Sequence, residues 1–474
     1  MIHYTLFSRY FLNKIRKLTT INHILKSPDS FIKNKVELTG WIKSVREGKN
    51  YSFVDLQDMS TNEKLQIVID HKQLPTPSYP YGTLVKIIGH VIQSPTKGQY
   101  VEISCKEIDI KIIKVSDPLT YPIKHNQIHS LEYIRQYPHL RSGHGGFASI
   151  LKIRNMTCSY LSDFFNTKNF LNVHTPIITT NNCEGSNQSF QIYHNYNNLS
   201  PNDNFFRNST YLTVSAQLHL ESIAAKLGNV YTIGPVFRAE NSNTRFHLAE
   251  FWMLEVEMPF IYDVNSICII VEECIKGLYN YLANSPDFLK YFEIIAKNNN
   301  KNIDFEVGHK KILCKDLFVK MLYSEASQIL LLNNEKFRPK FIEGENFSKE
   351  HEAFIVKYCN DMPVFILDFP VKLKPFYMKK NENNNAACLD LLFPIVGEIC
   401  GGSLREDDYD ILLNKLRSNK TFESLKWYLD MRKYGFPPMG GFGIGLERLL
   451  MHILHIENIR DVSPFPRWHQ NCKL

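Results

Sequence analysis

Ten cysteines are scattered along the 474 residues without one Cys-x-x-Cys pair or a close Cys/His grouping. Structural zinc sites draw their ligands from such pairs, so zinc is not expected. Irregular spacing in a long chain predicts reduced thiols, mostly buried as small apolar groups. No apolar run approaches the roughly 20 residues of a bilayer-spanning helix, which predicts a soluble chain with no membrane partner. No segment repeats at a fixed period, which argues against a solenoid or propeller. Acidic residues are missing from the start of the chain: Arg9, Lys14, Arg16, Lys17 and Lys26 all precede the first one, Asp29. A basic, acid-free stretch with interspersed Tyr4, Leu6, Phe7, Phe11 and Ile15 has the character of a mitochondrial transit peptide. Residues 1–34 are therefore expected to form a basic presequence directing the chain to the mitochondrial matrix, with the cytoplasm as the alternative.

The length suits two domains, and a net charge of +7 favours an anionic partner without naming one. From Val36 to Asp117 the chain reads as five short strands, VELTGWIKSV, YSFVDLQD, KLQIVID, TLVKIIGHVIQS and YVEISCKEIDI. Alternation and turn signals at that spacing predict a small barrel at 35–117, of which the OB-fold is the nucleic-acid-binding version. Residues 118–137 read as a connector, and 138–474 as a larger domain. There, Ile150, Ile153, Met156 and Leu161 recur at helical spacing, and LNVHTPIITT reads as a strand carrying Pro176. The Asn-rich patches at 298–302 and 381–385 read as loops, and 262–360 as scaffold.

Three further segments carry chemistry. Residues 237–258, FRAENSNTRFHLAEFWMLEVEM, read as two strands joined by a polar, cationic turn that suits a polyphosphate and a planar ring. Residues 441–450, GFGIGLERLL, place glycines where a backbone approaches closely, followed by Glu447 and Arg448. Residues 387–407, ACLDLLFPIVGEICGGSLRED, set Asp390 and Glu398 on facing strand positions or on a strand and its turn.

Together these segments resemble the class II aminoacyl-tRNA synthetases, in the wording of the aspartyl, asparaginyl and lysyl subgroup. The resemblance covers residue 36 to the C-terminus. It implies an α+β chain: an OB-fold anticodon-binding domain, then a class II catalytic domain with an antiparallel sheet flanked by helices. It also implies a homodimer built through motif 1 around Pro176. The implied reaction joins an amino-acid carboxylate to the α-phosphate of ATP and passes the aminoacyl group to tRNA. Arg238, Arg448 and Glu398 are the implied catalytic residues. ATP would be held by Arg238, Glu240, His247, Phe251, Glu398, Gly445 and Arg448, with Mg²⁺ on Glu398 and, second, Asp390. The amino acid would meet Glu184, Ser215, Gln217, Glu221, Arg238, Glu255 and Arg405. Anticodon bases would meet Arg46, Phe53 and Gln66.

Two positions depart from the subgroup's pattern. Phe246 stands where many relatives carry a second arginine, and Met439 where the subgroup usually has histidine. Arg245 is a possible substitute for the lost arginine. In TVSAQLHLES (213–222), Leu220 occupies the place of a lysine that aspartate enzymes use against the β-carboxylate, and Glu221 follows it. Losing a cation and gaining an anion favours a neutral amide. Asparagine and tRNA(Asn) are the expected substrates, and an aspartyl enzyme is the alternative. An ammonia-dependent asparagine synthetase shares the catalytic fold but has no use for the barrel. A catalytically silent tRNA-binding relative is a third reading.

Overall fold

The barrel is built from strands whose buried positions alternate with exposed ones. The structure is a computed structural model that describes residues 19–474 apart from 62, 71–79, 97, 107–108, 125–126, 128, 182–188, 194–204, 207, 300–303 and 419–421. Two units separate: one runs to Ser130 and includes Gly143–Ala148, the other holds Leu131–Ser142 and Ser149–Leu474. The expected border at 137/138 is therefore displaced. Leu131 and Ile134 are buried, and Arg135 pairs with Asp461 at 2.8 Å, so 131–142 groups with the second unit.

In the first unit the strands are β1 (Lys35–Glu47), β2 (Tyr51–Gln57), β3 (Leu65–Asp70), β4 (Leu84–Gln93), β5 (Val101–Lys106) and β6 (Ile110–Lys114). They run in the order β1-β2-β3-β5-β4-β6, and β1 also pairs β4, which closes the barrel. The fifth expected segment is β5, and a sixth strand that was not expected, β6, begins at that segment's last residue, Ile110, and runs antiparallel to β4. Val54, Leu56, Ile67, Ile69, Ile87 and Ile103 fill the interior. Each such side chain contributes about 1.5–3 kcal/mol on burial.

The basic extension expected over 1–34 also needs correction. Helix α1 (Ile21–Lys26) puts Ile21 and Ile24 into the barrel core, with Leu25, Phe31 and Ile32 packed against it. Thr20 caps the helix, Asp58 accepts from Ile21 N at 2.8 Å, and Ser60 from Asn22 N at 3.0 Å. Residues 20–34 belong to the barrel, because the i, i+3, i+4 pattern that suggests an amphipathic signal also suits a helix laid on a core. Residues 1–18 lie outside the described part.

The second unit centres on an eight-stranded sheet. Its strands are β7 (Leu171–Asn172), β11 (Val230–Phe237), β12 (Glu250–Pro259), β13 (Val319–Leu322), β14 (Val364–Leu367), β15 (Cys388–Phe393), β16 (Gly397–Leu404) and β17 (Met439–Gly445). The order is β13-β14-β15-β16-β17-β12-β11-β7. All pairings are antiparallel except β7–β11 and β13–β14. A small second sheet joins β8 (Ile178–Thr179), β9 (Gln191–Ile192) and β10 (Thr210–Leu212). The single strand expected around Pro176 is thus two short ones in different sheets, since proline has no N–H for a ladder. The helix expected near 150 is α2 (Gly145–Thr167); it buries Phe147, Ile150, Ile153, Leu161 and Phe165, with Met156 only half-buried. Further helices used below are α3 (Gln217–Leu227), α4 (Val264–Ala283), α5 (Lys349–Tyr358), α6 (Lys426–Asp430) and α7 (Leu446–Leu454). Among the described residues no helix is long and apolar enough to cross a membrane.

Candidate active site

Four adjacent strands of the large sheet align Glu255, Gly443, Gly401 and Asp390 in one cross-strand row. Adjacent strands lie about 4.8 Å apart, so the two glycines bring no side chain of their own to the middle of the row, where the Met253 methyl overlies Gly443, and a carboxylate stands at each end. This glycine strip floors a cavity of about 270 Å³. The neighbouring row is Glu257, Gly441, Ser403 and Cys388. A Cβ on Gly441 would come within 2.5 Å of the Glu257 carboxyl. That glycine makes room for a buried carboxylate, not for a nucleotide; Gly443 and Gly445 do line the cavity.

One side of the cavity is the β11–β12 hairpin, paired up to Phe237 and Glu250. Beyond it, Arg238 N donates to the Ala249 carbonyl at 2.9 Å. Arg238, Glu240, His247 and Phe251 all line the cavity, and the Arg238 guanidinium stands 5.6 Å from the Phe251 ring centre. His247 Nε2 is 3.6 Å from Glu240, and its Nδ1 pairs with Ser242 and Thr244 at 3.0 and 2.7 Å. Burial pulls the His247 imidazole below its ordinary range; Glu240 opposes this, while Arg448, Lys349 and Arg238 add to it. The ring is neutral near pH 7. Arg245 points elsewhere, pairing with Glu457 at 3.4 Å on the exposed surface, and Phe246 takes the lining position. Met439 is buried in an apolar cluster with Ala216, Leu220, Ala224 and Val230.

Opposite the hairpin, α7 begins at the end of β17 and brings in Arg448, whose Nη1 donates to the Glu398 carbonyl at 2.7 Å. Glu447 accepts from Trp252 N at 3.0 Å and pairs with Arg154 at 2.8 Å, tying β12 to α2 and α7. Burial acts to raise the Glu398 carboxyl, but Arg448, Lys374, Lys349 and Arg238 outweigh it and hold the group below its usual range. Glu398 is an anion among cations. Burial pushes Asp390 up to about 6; Lys374 opposes this and Glu398 reinforces it. Lys374 Nζ grips both Asp390 oxygens, at 2.7 and 2.6 Å.

The fit to a divalent cation follows from these contacts. A Cβ on Gly401 would lie 3.3 Å from Glu398 Oε1 and 3.7 Å from Asp390 Oδ1, so both carboxylates border the space that glycine leaves. Among the described residues no group of three or more His, Cys, Asp or Glu is arranged to hold a metal. Two carboxylates, one already matched by a lysine, suit Mg²⁺ arriving on phosphates, because such an ion takes one or two protein oxygens and completes its shell elsewhere.

The far end of the cavity is polar and tightly paired. Arg405 holds Glu257 through two N–H groups, one at 3.1 Å, and donates to Ser403 at 2.7 Å. Glu255 accepts from the Ser215 hydroxyl and from Ala216 N at 2.9 Å. Ser215, Gln217, Glu255 and Arg405 line the cavity as expected. Glu221 and Leu220 do not: both are fully buried away from it, Leu220 in the Met439 cluster and Glu221 among polar partners behind the wall. The expected direct contact of Glu221 with substrate is therefore corrected: Glu221 lies one turn from Gln217 on the same face of α3, and the Gln217 amide, which donates to it at 2.9 Å, is the one of the two that lines the cavity. Glu184 lies outside the described residues.

Sequence reasoning missed Lys374, Lys349 and Glu352. Glu352 accepts from Glu398 N at 3.1 Å and from Lys349 at 2.7 Å. Both start α5, inside the stretch read as scaffold. A lysine within the apolar run around Phe376 was the available sign of Lys374.

In the barrel, Arg46 and Phe53 are direct cross-strand partners, and Asp55 faces Gln66. Arg46 donates to Gln66 Oε1 at 2.7 Å, and its guanidinium lies 5.8 Å from the Phe53 ring centre. Gln66 Nε2 donates to Glu102 at 3.1 Å. Phe53 is half-buried, on the face opposite the core residues Val54 and Leu56.

Comparison with known proteins gives consistent findings. Residues 130–469 match the family of tRNA synthetases class II (D, K and N), and 36–111 match the OB-fold nucleic acid binding domain. An asparaginyl-tRNA synthetase of Mus musculus is 38% identical over 445 residues, 93% of this chain and 91% of its own length. A probable mitochondrial asparagine–tRNA ligase of Dictyostelium discoideum is 37% identical over 466 residues, 96% of this chain and 97% of its own. The asparaginyl-tRNA synthetase of Pyrococcus horikoshii, solved with asparaginyl-adenylate, superposes with a TM-score of 0.81 at 26% identity, covering 96% of this chain and 98% of its own.

Proposed function

We propose a function for this chain from one premise: it belongs to the class II tRNA synthetases of the D, K and N group. It is an asparagine–tRNA ligase that works through an asparaginyl-adenylate. In the first step a carboxylate oxygen of asparagine attacks the α-phosphorus of ATP, and the bond to pyrophosphate breaks. In the second, a ribose hydroxyl of the terminal adenosine of tRNA(Asn) attacks the activated carbonyl and AMP leaves. Both steps need alignment and charge neutralisation more than a protein nucleophile.

The glycine strip, with paired polar groups at one end and cations at the other, is the observation that carries this reading. Asparagine lies at the end formed by Ser215, Gln217, Glu255 and Arg405, with Glu184 contributing from its own segment. ATP lies at the other, its adenine on Phe251 beside Glu240. Arg238, between the two, contacts the amino-acid carboxylate and the α-phosphate with one planar guanidinium. Neutral His247 and cationic Arg448 face the γ-phosphate. Glu398, with Asp390, holds Mg²⁺, which when bound supplies charge neutralisation on the phosphates. In the barrel Phe53 stacks on an anticodon base while Arg46 and Gln66 meet base edges or phosphate.

Exposed Leu171, Ile177 and Ile178 around Pro176 support dimerisation of two copies through that segment. The basic N-terminus and the Dictyostelium relative's name support the mitochondrial matrix, with a presequence that ends before Thr20. A reporter fused to residues 1–19 should enter mitochondria; one that stays cytosolic rejects that destination. The enzymatic reading is tested by exchange of pyrophosphate into ATP with asparagine, aspartate and lysine side by side. Exchange with asparagine alone is expected. Exchange with aspartate would reassign the substrate, and none at all, with Phe246 in the cavity wall, would favour a silent tRNA-binding relative.

A further inference from the structure

The turn between β11 and β12 is built largely of exposed residues, Asn241 and then Asn243, Thr244 and Arg245. Three successive carbonyls in it are nevertheless held from one side. Arg460 donates from Nη2 to the Asn243 carbonyl at 3.0 Å and reaches that of Thr244 at 3.4 Å. Ile459 N donates to the Arg245 carbonyl at 3.0 Å, and Ile459 itself lines the cavity. The chain returns to the turn 217 residues after Asn243 to supply Arg460.

Arg460 is aimed by its own surroundings. Its N donates to Asn458 Oδ1 at 3.1 Å, and its guanidinium lies 4.4 Å from the centre of the Trp468 ring, a stacking contact that limits where the planar group can swing. Trp468 is fixed in turn: its N donates to the Asn471 carbonyl at 3.1 Å, and its carbonyl accepts from Asn471 N at 2.8 Å. Next to it, the Arg467 carbonyl accepts from Ala249 N at 2.7 Å, at the foot of β12. The path ends on His247. Thr244, whose carbonyl Arg460 reaches, pairs through its hydroxyl with His247 Nδ1 at 2.7 Å. A hydroxyl that donates to Nδ1 leaves the ring proton on Nε2, the nitrogen 3.6 Å from Glu240.

We propose that Arg460 is a positioning residue for the ATP end of the cavity: seated on Trp468, it holds the turn that presents the His247 Nε2–H to the polyphosphate. The proposal rests on the synthetase reading. Displacement at the α-phosphorus depends on how the triphosphate is aligned, and a shift of about 1 Å in an aligning group can cost about 10²-fold. Asparagine, at the far end among Ser215, Gln217, Glu255 and Arg405, gains nothing from this brace. The two substrates therefore give different readouts of it.

Pyrophosphate exchange on the full chain, with ATP and asparagine varied separately, tests it. Arg460→Ala should raise KM for ATP about tenfold and leave KM for asparagine unchanged. Arg460→Lys, which keeps a donor for the turn carbonyls, should recover most of the loss. His247→Ala should show a rise in KM for ATP of its own, and adding Arg460→Ala to it should cost little more, because groups that act as a unit do not add. Losses that add in the double variant overturn the proposal, and so does an equal rise in both KM values or a fall in kcat alone that tracks a fall in Tm. If Arg460→Ala does not fold, Trp468→Leu removes only the ring beneath the guanidinium: a smaller rise in KM for ATP alone supports the proposal, and an unchanged one overturns it. A wild-type protein that does not exchange with asparagine instead overturns the synthetase reading, before any variant is made.

Discussion

The barrel and the catalytic unit both present groups suited to nucleotides, and they do so by opposite means. On the barrel, Phe53 and Arg46 sit on a half-exposed strand face, Arg46 oriented by a hydrogen bond to the neutral Gln66 and Phe53 by the Arg46 guanidinium over its ring. In the catalytic unit Arg405, Glu221 and Arg432 are buried ionic groups, each held by two or more partners, and burial pushes the Glu257 carboxyl that Arg405 grips up to about 8. A surface reader loses one contact when one side chain is removed. A buried ionic lattice loses its balance, because the partner left behind has no water to replace it.

That contrast can be broken by substitution. The largest effect should come from Lys374→Ala, which strands Asp390. A loss of about 3–5 kcal/mol in stability is expected by chemical denaturation, and a second change, Asp390→Asn, should return much of it. Arg448→Ala comes next: adenylate formation should fall about 10²–10³-fold while tRNA binding is largely kept, separating the units functionally. Phe53→Ala should show the reverse, weakening tRNA binding by about 1–3 kcal/mol with pyrophosphate exchange untouched.

Acidification sharpens the comparison from another side. Burial holds His309 and His452 below the ordinary histidine range, and Tyr279 O–H pairs with His452 Nδ1 at 2.7 Å beneath the sheet. The unfolded chain takes up protons near pH 6.5 that the folded one refuses, so this contribution is intact above that pH and stability falls as pH drops below it. Denaturation midpoints at pH 7.5 and 5.5 should show the fall, and His452→Gln should flatten it. The smallest effect belongs to Arg245→Ala. Its exposed pair with Glu457 is worth at most about 1 kcal/mol, and exchange activity should hardly change.

Much of this was legible in the sequence where information is local. Alternation gave the barrel strands, the 3.6-residue spacing around Ile150 gave α2, and the hairpin closing at Phe237 and Glu250 followed from a polar turn between apolar runs. The cavity residues Arg238, His247, Phe251, Glu398, Arg405 and Arg448 were also foreseen, through their place in recognisable segments. What escaped depends on neighbours distant in the chain. Glu221 reads as a pocket anion until Arg432, more than 200 residues later, is seen to hold it on the other side. Lys374 and Lys349 look like ordinary surface lysines until strand order sets Asp390 and Glu398 beside them. Pro176 was visible, but that it parts two sheets was not.

Helix α1 has a practical bearing on the presequence proposed above. Its first amides are engaged by Asp58 and Ser60, and its two isoleucines plug the barrel. Trimming that stops at Thr20 spares every one of these contacts. A cut only a few residues further removes the plug. For the presequence proposed above, removal would meet a hard stop set by folding and not by the protease's sequence taste: N-terminal sequencing of the purified protein should find no end within the helix.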